Sequence, residues 1–105
     1  MPGIIAAVFA GGHRIDRDDY LDDLKTLDVE TDTGNRYVVV RADSSDDVSS
    51  DWDVQLAAGP TVVGHIHQTV ALVGAPRTYH YVRYGASPRR GNQFDLWDAI
   101  QSLTD

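Results

Sequence analysis

Residues 61–85 read Thr-Val-Val-Gly-His-Ile-His-Gln-Thr-Val-Ala-Leu-Val-Gly-Ala-Pro-Arg-Thr-Tyr-His-Tyr-Val-Arg-Tyr-Gly. β-Branched and aromatic residues fill both sides of Gly74-Ala75-Pro76, a turn sequence, so the segment predicts a β-hairpin. Placing Val73 opposite Thr78 sets the register, and strand alternation then sorts the side chains. Val62, Ile66, Val70 and Leu72 join Tyr79 and Tyr81 on the face expected to pack on the core. His65, His67, Thr69 and Ala71 join His80, Val82 and Tyr84 on the other. In that register His80 stands opposite Ala71, about four residues or roughly 13 Å from His67.

Upstream, residues 3–10 form a short apolar run that predicts a buried strand, ended by a bend at Gly11-Gly12. Asp16 is a good N-cap, and Tyr20, Leu24 and Leu27 recur at helical spacing, so residues 17–27 read as a short amphipathic helix. Val29–Thr31 and Arg36–Ala42 flank Asp32-Thr33-Gly34-Asn35 and read as a second hairpin. Residues 43–53 are Ser- and Asp-rich and read as a surface loop, followed by a short strand at 53–57. Downstream, 86–91 reads as a basic loop. Asn92 is expected to cap a second helix, with Asp95 in its first turn and Phe94, Leu96, Trp97, Ile100 and Leu103 on its buried side. The expectation is an α+β fold: a small, mostly antiparallel sheet or partial barrel of five to six strands, with two short helices, in a single domain over residues 1–105.

Composition narrows the function classes. There is no Cys, which excludes disulfides and thiolate chemistry. Met1-Pro2-Gly3 lacks a positive start, and the apolar run from Ile4 to Ala10 is too short for a leader or for the roughly 20 residues of a membrane span. No membrane contact is expected, and the localisation reads as cytoplasm or virion. Fifteen Asp against one Glu, and eight Arg against one Lys, resemble the usage of proteins from salt-loving organisms.

Charge is segregated along the chain. Residues 1–53 carry −8, residues 54–94 contain no Asp or Glu and carry +4, and residues 95–105 carry −3, for a net of −7. A domain with opposite signs in different parts can dock onto copies of itself. The candidate interface residues are Arg77, Arg83, Arg89, Arg90 and Tyr84 on the basic side, and Asp43, Asp46 and Asp47 on the acidic side. Basic and aromatic residues together also suit single-stranded nucleic acid, but the net charge is wrong for that partner, so nucleic acid is not expected.

Gly64-His65-Ile66-His67 is the one motif with metal chemistry in it. Two His at i and i+2 of a strand share a face about 7 Å apart and can bracket a metal. Gly59 followed by His65-x-His67 resembles the opening of the cupin metal motif, which implies a small His-metal enzyme. Cupins continue with a Glu, where this chain has Ala71 or Leu72, and with a third His. Gly-His-x-His also resembles the last metal motif of calcineurin-like phosphoesterases, whose earlier Asp-x-His and Gly-Asn-His motifs are missing here. His65 and His67 are therefore read as a partly exposed strand face, with no cofactor or metal expected. Asp43, Asp46, Asp47, Asp51 and Asp53 could offer oxygens to Ca²⁺ but lack EF-hand spacing. No nucleophile–base pairing is visible, and the chain is not expected to be an enzyme. The leading expectation is a self-associating structural subunit, by analogy a head-completion, tail or decoration protein of a virus particle. The alternatives are a cupin-like His-metal enzyme and an acidic inhibitor or immunity-like binder.

Overall fold

The computed structural model describes residues 4–16, 24–42, 49–59, 61–69, 78–85 and 88–104. These form strands β1 (Ile5–Ala10), β2 (His13–Ile15), β3 (Thr26–Thr31), β4 (Arg36–Arg41), β5 (Ser49–Leu56), β6 (Val62–Thr69), β7 (Thr78–Arg83) and β8 (Arg89–Gln93), and helix α1 (Leu96–Leu103). All eight strands belong to one antiparallel sheet in the order β2-β1-β3-β4-β5-β6-β7-β8. The expected five to six strands and two helices are thereby corrected to eight strands and one short helix, a mostly β fold.

Each added strand has a local cause. Gly11 and Gly12 both sit at positive φ, 57° and 83°. That is the backbone of a two-residue type I′ turn. The chain therefore reverses rather than bends, and Ala10 faces His13 across β1 and β2. In β3, buried Leu27 and Val29 alternate with exposed Thr26 and Asp28. Period two thus overrides the helical spacing that ends on Leu27, because Leu27 can pair with Val39 and Val29 with Tyr37. The rest of the expected first helix, 17–23, lies outside the described residues. In β5, Ser50, Trp52 and Val54 point to the core while Asp51 and Asp53 point away, so half of the supposed acidic loop is a strand. The stretch 43–48 lies outside the described residues.

At the C-terminal end, Asn92 belongs to β8 and does not cap the helix. Asp95 does: its Oδ1 accepts the Asp98 N–H at 2.7 Å. A cap oxygen here satisfies one of the donors left open in the first helical turn. Starting α1 later leaves Phe94 outside the buried stripe, and it is 74 % exposed. Leu96, Ala99, Ile100 and Leu103 form the buried face instead.

Over His65–His67 and Tyr79–Val82 the last hairpin keeps its expected faces but not its register. Thr78 pairs with Thr69, not Val73, and His80 pairs with His67, not Ala71. The slip is an even number of residues, so the side chains from His65 to His67 and from Tyr79 to Val82 stay on their faces. Val62 does not: a bulge sets it opposite Gln55, and Val63 packs on the core in its place. The turn Gly74-Ala75-Pro76, with Val70 and Leu72, lies outside the described residues. Packing accounts for the register. It sets Ile66 and Gln68 opposite Tyr81 and Tyr79, and brings the Tyr79 ring to 6.0 Å from Trp52. It also puts Gly64 under Leu103 of α1, where no side chain fits.

Helix α1 lies on the inner face, against β6, β7 and β8. Its Gln101 Oε1 nevertheless accepts the backbone N–H of Ile5 on β1. In a flat sheet β1 and β7 would stand about 24 Å apart. The sheet therefore curls around α1. Val8, Leu27, Val29, Val39, Trp52, Val54 and Ile66 line the resulting core with the helix side chains. The outer face carries no helix among the described residues.

Candidate functional site

Register places the polar groups of the outer face in rows. One row runs Asp51, His67, His80, Asn92 from β5 to β8; the next runs Asp53, His65, Val82, Arg90. Directly opposite residues of an antiparallel pair have Cα atoms about 4.5–5.5 Å apart, so His80 adjoins His67 instead of lying a hairpin's length away. His13 sits on β2, at the far end of the sheet from β6.

The two candidate metal histidines are engaged by carboxylates. Asp51 Oδ1 contacts His65 Nε2 at 2.9 Å and His67 Nδ1 at 2.7 Å, and His65 Nδ1 contacts Asp53 Oδ1 at 3.0 Å. A ring with a carboxylate at each nitrogen can donate to both only as imidazolium, so this setting favours the charged form. Burial works against the charge on His65, but the hydrogen bonds to Asp53 and Asp51, with their negative charge, outweigh it and raise its pKa. For Asp51 burial again opposes the charge. The hydrogen bonds and positive charge of His67 and His65 prevail and lower its pKa. The side chains are a quarter to a half exposed, so this is a screened surface network that ties β5 to β6. Among the described residues no group of three or more His, Cys, Asp or Glu is arranged to hold a metal ion. Asp51 and Asp53, two of the candidate calcium ligands, face His65 and His67. Asp43, Asp46 and Asp47 lie outside the described residues.

The basic residues collect at the other end. β8 is the last strand of the sheet, and among the described residues nothing pairs with its outer edge. Arg89 stands opposite Arg83, two like charges across one ladder. Arg83 turns inward, where its Nη1 donates to the Leu103 carbonyl at the negative end of α1. Arg89 and Arg90 are exposed and make no ion pair among the described residues. Phe94, the residue after β8, is exposed; Tyr84, also exposed, follows β7, where its N–H donates to the Val63 carbonyl of β6. Arg77 lies outside the described residues.

Sequence reasoning missed two features. The alternation of Asp51-Trp52-Asp53-Val54 is a strand signature, and its spacing matches His65-x-His67 across the ladder. The signal was present but masked by the polar residues before it. The second is a groove of about 470 Å³ whose lining includes Phe9, Asp28, Glu30, Arg36 and Tyr37. It draws on β1, β3 and β4, which come together only in the sheet.

Among the described residues no helix is long and apolar enough to cross a membrane. Comparison with known protein families, with curated proteins and with solved structures gives no match for this chain.

Proposed function

We propose that this protein is a non-enzymatic subunit that associates with copies of itself through its basic β8 edge. The observation that carries this reading is the strand order. From β3 onward the sheet follows the sequence, so the strands without Asp or Glu, β6 to β8, lie together and end on Arg89 and Arg90 at the β8 edge, with Asp95 and Asp98 of the helix that packs on them as the described acids nearby. Asp28 and Glu30 lie on β3, with four strands between it and β8. This separation of Arg89 and Arg90 from Asp28 and Glu30 supports association through unlike charges.

The β8 edge supports the reading in three further ways. Two arginines there lack a carboxylate among the described residues. Arg89 also faces Arg83, a repulsion that an incoming anionic surface relieves. An edge strand with Arg89 and Arg90 that runs directly into exposed Phe94 has the aromatic and Arg content that interface centres favour.

Light scattering during size-exclusion at low and at high salt tests the proposal. Self-association that weakens as salt screens the charges is expected. A strict monomer at both ionic strengths, at high protein concentration, overturns it. The same chromatography after treatment with a chelator separates assembly from a metal-dependent alternative, because assembly through β8 survives metal removal.

A further inference from the structure

We propose that the groove over β1, β3 and β4 receives the β8 edge of a second copy, with Arg89 and Arg90 meeting Asp28 and Glu30 and with Phe94 seated against the apolar wall. The inference rests on the self-association reading and names the surface that β8 meets.

The groove is built for a mixed apolar and cationic guest. Phe9 and Asp28 are ladder partners on β1 and β3, and Glu30 and Arg36 are ladder partners on β3 and β4. Alternation puts Phe9, Asp28, Glu30 and Arg36 on the outer face, next to one another. Two carboxylates against one guanidinium leave the groove net negative. Asp28 is exposed and, like Glu30, makes no ion pair among the described residues. Phe9 and Ala57 provide the apolar side chains of the lining that are not buried in the core.

The β8 edge is the matching guest. It offers two unpaired guanidiniums within a few residues of a phenyl ring that is 74 % exposed. That exposure also shows that Phe94 does not fill the groove of its own chain. Strands β5, β6 and β7 lie between the groove and β8, so the contact is between molecules. Guest and host are different surfaces. The contact is therefore heterologous: each added copy leaves one groove and one β8 edge free, and growth gives a ring if the rotation closes and a filament if it does not.

A charge-swap experiment tests this. One variant carries R89E and R90E, the other D28R and E30R, and circular dichroism verifies that each folds. Each variant alone is expected to self-associate at least about tenfold more weakly than the parent, because like charges now meet in its only contact. An equimolar mixture restores assembly, since the acidic β8 of one matches the basic groove of the other and the remaining pair is the parental one. F94S is expected to weaken association at high salt as well as at low. Variants that self-associate like the parent, or a mixture that stays monomeric, overturn the groove pairing while leaving self-association in place. A parent protein that is itself monomeric removes the reading beneath both.

Discussion

Gly64 offers a sharp test of how the helix is seated. A Cβ at this position would lie 2.7 Å from the Val82 carbonyl oxygen and 2.9 and 3.1 Å from the two methyl carbons of Leu103. Contacts between non-bonded carbons are comfortable only at about 3.5–4.0 Å. The Val82 carbonyl belongs to the strand between β6 and β8, so it moves only if a ladder loosens. Leu103 is fully buried and has little room to turn aside. Gly64→Ala therefore overpacks the site, at a cost of about 1–3 kcal/mol. Replacing a strand glycine by alanine without a clash is favourable by about 0.5–1 kcal/mol. The difference leaves the variant roughly 0–2.5 kcal/mol less stable, or up to about 20 °C lower in Tm for a domain of this size. Urea unfolding followed by Trp fluorescence, with Trp52 buried as a reporter, measures it. Leu103→Ala alone should cost about 2–5 kcal/mol. In the double variant the new methyl enters the space that Leu103 leaves, so the two effects should sum to at least about 0.5 kcal/mol less than additive. Strict additivity in the double variant would refute the seating of α1 over β6.

The histidine–aspartate cluster makes stability depend on pH in a defined direction. The pKa of His65 is raised above its ordinary 6.5 on folding. Its contribution is complete below about 6.5 and is lost as pH rises through the raised value. Asp51 is lowered from its ordinary 3.8, so its contribution is complete above about 3.8 and is lost as pH falls through the lowered value. The network thus contributes most between these two ordinary values. Thermal melts across pH 4–9 should show a decline on the alkaline side, which His65→Ala flattens by roughly 1 kcal/mol at most, since the pairs are partly exposed; an unchanged slope in the variant contradicts this. Asp95→Ala should lower stability by about 0.5–2 kcal/mol in urea unfolding, and Asp95→Asn by much less, because the cap needs an acceptor rather than a charge. Gly91→Ala should cost less than Gly64→Ala, because its Cβ would meet only the outer part of the Tyr81 ring, a side chain that can swing away.

Local physics was legible along the chain wherever a short-range rule had no competitor. The apolar run at Ile5–Ala10, the hairpin around Gly34 and the division of residues 65–67 and 79–82 into two faces all follow from alternation and turn residues, whereas the bulge that exchanges Val62 for Val63 on the core side leaves no mark in the pattern. The charge segregation was equally plain. Tertiary structure decided what depends on partners far away in sequence. Leu27 satisfies both a helical and a strand pattern, and only Val39 across the ladder selects the strand. Asn92 and Asp95 are both good caps, and the choice between them is made by β8 needing residues 89–93 to pair with β7. The register of β6 and β7 was out of reach because shifts by an even number of residues leave every side chain on the same face, so alternation cannot tell them apart. Trp52 against Tyr79, and Leu103 above Gly64, break that degeneracy by fit. The meeting of Asp51 with His65 and His67, and the groove shared by Phe9, Asp28 and Arg36, belong to the same class. Sequence determined which residues face the same way, and the curl of the sheet around α1, driven by burial of one continuous core, determined which of them stand side by side.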